Sequence, residues 1–153
     1  MTRSRFLCSL LALGALSVFS GVASAKTCSV TISGNDQMQF DKNQISIAAD
    51  CTEVELTLKH TGKLPVTAMG HNWVLTQTSD FEAVAKAGAS AGPQNDYLPK
   101  NDARIIAHTK LIGGGESTSI TFPTSKLKKG GDYTFFCSFP GHWTVMKGKL
   151  VFG

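Results

Sequence analysis

Cys137, His142 and Met146 stand in the spacing Cys-x4-His-x3-Met, at the end of the aromatic run Tyr133-Thr134-Phe135-Phe136. A thiolate, a neutral imidazole and a thioether are soft donors, and such donors select copper, zinc or iron–sulfur. One thiol and one imidazole cannot complete a site alone. Three further histidines, His60, His71 and His108, could add a ligand. His60 ends a regular strand and His108 lies in another, with nothing nearby to complete a metal set. His71 sits in Ala68-Met69-Gly70-His71-Asn72-Trp73, where a loop enters a strand. Gly70 permits an unusual backbone angle there, or a close approach of its carbonyl to something else. With His71 the set becomes Cys-His-His plus Met. That is the trigonal copper arrangement of two histidines and one cysteine with a weak axial thioether.

Other readings compete. A methionine is most often core filler. A Cys-His pair can be nucleophile and base, but Cys137 lies in an aromatic strand with no evident orienting carboxylate. A zinc site with bound water is possible on ligand count, yet a thioether is a poor zinc ligand. Thiolate and thioether favour Cu(I), whereas imidazole tolerates both oxidation states. A rigid scaffold around such a set keeps reorganisation small, which suits one-electron transfer. A copper storage or delivery protein is the alternative, although delivery sites tend to be shallow and exposed.

The segments around these residues say how they are positioned. Arg3 and Arg5 precede an uncharged apolar run, Phe6 to Val22, and Ala23-Ser24-Ala25 is a small-residue cleavage pattern. Residues 1–25 therefore read as a signal peptide removed on export, rather than as a membrane anchor. Removing 25 residues from 153 leaves 128, starting at Lys26, a length that suits one domain over 26–153. Two arginines leave with the leader, so 13 basic residues face 11 acidic ones, a net of +2. That balance is too mild to argue for nucleic acid. Export places Cys28, Cys51 and Cys137 in an oxidising compartment, where two are expected to pair. Cys28 and Cys51 share the N-terminal strand region and are candidates for the pair; a pairing that uses Cys137 stays open on this reasoning.

Val30 and Ile32, Ile45 and Ile47, and Val54, Leu56 and Leu58 alternate with polar residues, the period of half-buried strands. Gly34-Asn35-Asp36 is turn chemistry, and Thr61-Gly62-Lys63-Leu64-Pro65 breaks the third strand. Ser79 and Glu82 have capping-box spacing. Phe81, Val84, Ala85 and Gly88 then follow the helical period up to Gly92-Pro93, predicting a short amphipathic helix over about 79–92. Strands resume at 104–108, 119–122, 133–136 and 149–152. Seven or eight short strands with one helical insertion predict an all-β, two-sheet sandwich.

In four segments the chain resembles the azurins, bacterial type 1 (blue) copper proteins of the cupredoxin family. These are Gly34–Phe40, Met69–Leu75, Ile106–Gly113, and Phe135-Phe136-Cys137-x-Phe139-Pro140-Gly141-His142-x3-Met146-Lys147-Gly148. The resemblance spans 26–153 and implies a Greek-key cupredoxin sandwich with a helical flap. It implies His71, Cys137 and His142 as in-plane ligands, Met146 as the axial ligand and the Gly70 carbonyl as a weak opposite contact. It implies a Cys28–Cys51 disulfide. The side chain of Asn72 would tie the ligand loops together, and the backbone N–H groups of Asn72 and Phe139 would point at the thiolate. His60 corresponds to a buried histidine near the site, and Trp73 to a core tryptophan.

The function implied is one-electron transfer in the periplasm, without enzymatic activity. Partners would be redox proteins such as c-type cytochromes or a copper or haem reductase, met by a monomer in transient complexes. They would dock on an apolar patch at the edge of His142, with Met38, Leu64, Met69, Phe139, Pro140, Trp143 and Val145 as its candidates. Trp143 is a departure, since many azurins have a small residue after this histidine.

Overall fold

The structure, a computed structural model, describes residues 25–153. The expected leader lies, but for Ala25, outside these residues. In chain order the elements are β1 (Thr27–Gly34), β2 (Gln44–Ile47), β3 (Glu53–His60), α1 (Val66–Met69), β4 (Val74–Gln77), α2 (Phe81–Ala91), β5 (Ala107–His108), β6 (Ser117–Pro123), β7 (Tyr133–Phe136) and β8 (Lys147–Phe152).

Alternation decides the first sheet. Val54, Leu56 and Leu58 on β3 are fully buried, while Glu55 and Lys59 on its other face are exposed. β1 joins β3 in parallel on one side and β6 joins it antiparallel on the other, in the order β1-β3-β6. The second sheet has the order β2-β8-β7-β4-β5. The facing sides of the two sheets enclose one core that contains Ile32, Leu56, Leu58, Trp73, Leu75 and Phe135. Trp73 lies stacked at 6.0 Å from both Phe122 and Phe135, so it bridges the sheets. This is the two-sheet sandwich that the strand pattern predicts.

β7 has no alternation, and all four of its residues are buried. Both of its faces are covered: Phe135 enters the main core, and Phe136 enters a second cluster with Val74, Phe81, Val84, Ala85 and Leu98. A strand buried on both faces reads as a continuous apolar run. The second cover is α2, whose buried residues are Phe81, Val84, Ala85 and Gly88, the set given by the helical period.

The start of α2 departs from expectation. The helix begins at Phe81, with Asp80 at its N-cap position and no side-chain cap. Glu82 does not close a capping box with Ser79; it pairs with Lys86 one turn on, at 3.1 Å. The strand expected over 104–108 is also shorter. Asp102 accepts hydrogen bonds from the backbone and guanidinium of Arg104, which hold a turn there, and the strand begins only at Ala107.

Cys28 and Cys51 form a disulfide with Cα atoms 5.8 Å apart. It leaves Cys137 as the free, buried thiol among the described residues.

Candidate metal centre

Two segments converge at one end of the sandwich. Cys137 follows β7 directly, and its N–H donates to the Met146 carbonyl at 3.0 Å, continuing the β7–β8 ladder past the strand ends. Residues 137–146 are thereby pinched into a loop. Gly141 turns the chain with φ 84°, a conformation that glycine adopts without strain. A short 3₁₀ turn over His142–Thr144 then returns it, with the Met146 N–H donating to the His142 carbonyl at 2.7 Å. The other segment carries His71, whose backbone exchanges hydrogen bonds with Ile112 at 2.9 and 2.8 Å.

Nδ1 of His71 lies 3.8 Å from Cys137 Sγ, and Nδ1 of His142 lies 3.6 Å from it. The three donor atoms lie within 4.8 Å of one another, and all three residues are buried. Nε2 of His71 bonds to the Asn35 carbonyl at 2.8 Å. A carbonyl only accepts, so Nε2 carries the proton and Nδ1 presents its lone pair to the cluster. The Gly70 carbonyl oxygen lies 3.7 Å from Sγ. Gly70 itself has φ −63°, which any residue adopts; glycine is needed for space, because a Cβ would stand 2.6 Å from the Val66 carbonyl oxygen. Met146 is fully buried. A Cβ at Gly34 would meet Met146 Cε at 2.7 Å and His71 Cδ2 at 2.8 Å, so thioether and imidazole close over the same glycine.

Hydrogen bonds outside the donor set hold the two segments together. The Ser138 N–H donates to Asn72 Oδ1 at 2.8 Å, and Asn72 Nδ2 donates to Ser138 Oγ at 2.7 Å. Asn72 Nδ2 and Ser138 Oγ both donate to the Asp96 carbonyl, at 2.9 Å each. Asp96 has φ 53°, and its carboxylate accepts the Leu111 N–H at 2.9 Å. His60 stacks on His71 with ring centroids 4.2 Å apart and donates from Nε2 to the Met69 carbonyl at 2.8 Å. Its Nδ1 accepts the Gly62 N–H at 3.1 Å.

Burial pushes the Cys137 thiol up to about 12, although the backbone N–H groups of Asn72 and Phe139 pull the other way. Burial depresses His142 to about 4 and also lowers His71. Two imidazoles kept neutral and a thiol that resists ionisation without a cation form a donor set that a soft metal ion completes. His108 is exposed and lies outside the cluster.

The family of copper-binding proteins described as plastocyanin/azurin matches residues 26–153. The chain belongs to the plastocyanin/azurin family. It is 56% identical over 135 residues to the azurin of Bordetella pertussis, covering 88% of this chain and 90% of that one. It is 50% identical over 142 residues to the azurin of Pseudomonas aeruginosa, covering 93% and 96%. Among solved structures it is similar to an azurin of Methylomonas sp. strain J, with TM-score 0.80, 44% identity, and coverage of 82% of this chain and 98% of that one. Copper is thus the cofactor, with His71, Cys137 and His142 forming a possible site for it, and the chain is an electron-transport protein of the blue copper type.

Within this azurin-like frame, the expected patch residues divide. Met38, Leu64 and Val145 are exposed at 37%, 42% and 63%. Pro140 is exposed, and Met69 and Phe139 are half-buried. His142 is only 3% exposed. Phe139 leans on it with ring centroids 4.5 Å apart. Trp143 turns away, packing edge-on against Phe81 of α2 at 5.8 Å. Sequence reasoning assigns no role at the site to Gly34, Asn35, Ser138 or Asp96. Nothing in their local pattern marks them, because their roles rest on partners distant in the chain, such as His71 for Asn35, Met146 for Gly34 and Asn72 for Ser138.

Proposed function

We propose that this chain is a periplasmic one-electron carrier whose copper is held by His71, Cys137, His142 and Met146, with the Gly70 carbonyl as a weak further contact. The observation that carries the reading is the convergence of His71 Nδ1, His142 Nδ1 and Cys137 Sγ within 4.8 Å in a buried pocket. Bound copper supplies a one-electron couple between Cu(I) and Cu(II). The protein supplies fixed donors: Asn35 sets the tautomer of His71, Asn72 and Ser138 join the two ligand segments, and the Cys137–Met146 backbone bond closes the loop. Their burial excludes water and leaves little freedom to rearrange between oxidation states. This favours reversible redox over substrate chemistry, and over copper storage or delivery, which needs donors within reach of a receiving protein.

Export through a leader at 1–25 accounts for the oxidised Cys28–Cys51 pair beside a protected Cys137 thiol. The partners are redox proteins such as c-type cytochromes or a copper or haem reductase. They meet a monomer at the end of the sandwich that carries His142, on a patch made of Met38, Leu64, Met69, Phe139, Pro140 and Val145, with Trp143 at its margin. Adding Cu(II) to the protein lacking residues 1–25 is expected to give an intense blue thiolate-to-copper band, lost in Cys137→Ser. A colourless or merely pale copper complex would overturn the reading.

A further inference from the structure

Phe81 belongs to α2, outside the sandwich, and has no polar atom to offer a metal. Its ring nevertheless receives three residues that are chain neighbours of candidate ligands. Phe136, directly before Cys137, meets it edge-on with centroids 5.1 Å apart. Trp143, directly after His142, meets it edge-on at 5.8 Å. The ammonium of Lys147, directly after Met146, stands 5.0 Å from its centroid. Phe81 is 7% exposed. One ring therefore touches the neighbours of all three C-terminal donors, through two edge-to-face aromatic pairs and one cation–π contact.

These contacts have the geometry of attraction. Edge-to-face pairs and a cation over a ring face each add to simple area burial. They also have direction, which an aliphatic side chain of similar volume lacks. The loop 137–146 is fixed at its base by the Cys137–Met146 backbone bond. At its far side, the turn at His142–Thr144 is held by bonds local to the loop, such as Thr144 Oγ1 to the Gly141 carbonyl. Within that turn His142 faces His71, with ring centroids 5.2 Å apart, and Trp143 is the residue that reaches α2.

We propose that Phe81 is a positioning residue for the copper centre: its ring clamps Phe136, Trp143 and Lys147, and so fixes the loop that carries Cys137, His142 and Met146. The helical flap then acts on electron transfer by limiting how far the donors move, without touching the metal. This rests on the ligand assignment proposed above, but part of its test needs no metal.

The test compares Phe81→Leu with Val84→Ala, which trims the same buried cluster elsewhere on α2, and with Phe81→Tyr, which keeps the ring. In the metal-free protein, Cys137 is fully buried and reacts with a thiol reagent only through local opening. Labelling is expected to be roughly tenfold faster in Phe81→Leu than in a Val84→Ala protein of matched stability, with Phe81→Tyr close to the parent. In the copper form, Phe81→Leu is expected to change the reduction potential and the copper hyperfine splitting, and Val84→Ala to leave both in place. Equal labelling and unshifted spectra in Phe81→Leu and Val84→Ala would reduce Phe81 to ordinary core and overturn the proposal. Should the parent protein bind Cu(II) without a blue band, the ligand assignment fails, and the labelling comparison still decides the clamp.

Discussion

Asn72 and Ser138 hydrogen-bond to each other in both directions, backbone N–H to side-chain carbonyl at 2.8 Å and side-chain amide to hydroxyl at 2.7 Å. They are 66 residues apart, and each adjoins a candidate copper ligand, His71 and Cys137. Both are buried, so neither can exchange its partner for bulk water.

Asn72→Ala is therefore expected to destabilise the metal-free protein by roughly 2 kcal/mol, because the buried Ser138 N–H loses its acceptor. Urea unfolding measures this directly. A loss below about 0.5 kcal/mol would mean that water or another group satisfies Ser138 and that the bridge does not couple the two segments.

The disulfide is expected to act on stability and leave the centre alone. Cys28 and Cys51 are separated by 23 residues, and such a loop is worth about 3 kcal/mol in the chain-entropy account. Cys51 lies before the start of β3, and His60, which stacks on His71, lies at its end. Eight strand residues put about 25 Å between them. Replacing both cysteines by alanine should lower the thermal midpoint clearly, with the visible spectrum of the copper form unchanged. A shifted spectrum would show that strain travels along β3.

The difference between what could and could not be read from the sequence follows the range of the forces. The alternation on β3, the helical period of α2 and the Cys-x4-His-x3-Met spacing are local, and each puts its residues where the pattern requires. His71 also announces itself, through the glycine before it. The capping box at Ser79 is local too, but Lys86 offers Glu82 a competing partner that spacing alone does not rank. The tautomer of His71 depends on a carbonyl 36 residues away. The direction of Trp143 depends on Phe81, and no reading of Gly141-His142-Trp143 contains that helix.

The metal-free protein is expected to lose stability on both sides of neutrality. His142 titrates near 4 in the folded protein, against an ordinary value of 6.5, because burial disfavours its charged form, and His71 is lowered for the same first cause. The unfolded chain takes up these protons first, so stability falls as pH drops from about 6.5 towards 4. Cys137 runs the opposite way: burial holds its thiol to about 12 against an ordinary 9.0, so the unfolded chain ionises first and stability falls as pH rises past 9.0. Urea midpoints across this range should form a dome. A flat profile between pH 4 and 6.5 would contradict the neutral, buried state of the two imidazoles.

Met146→Leu is expected to keep copper bound and raise the reduction potential. Leucine fills similar volume but donates no electron density, which disfavours Cu(II) more than Cu(I). Met146 is fully buried beside His71 above Gly34, so packing alone would also explain its presence. Cyclic voltammetry separates the two readings: an unchanged potential with copper retained would leave Met146 as core.

Trp143 is a patch candidate by sequence, and its packing makes it a poor probe of partner docking. Its ring is half-buried against Phe81, so Trp143→Asp would disturb the flap as well as any surface. Val145 is the better choice, at 63% exposed and three residues from His142 in the same loop. Val145→Asp should leave the potential and spectrum near those of the parent. It should slow electron exchange with a c-type cytochrome roughly tenfold, because a carboxylate buried against an apolar partner loses its hydration without gaining a hydrogen bond. Ser46→Asp places the same charge on the exposed face of β2, a strand that pairs with the far end of β8 from the centre, and should leave the rate unchanged. If the two variants exchange electrons equally fast, partners do not approach over the His142 loop, and the electron leaves by another face.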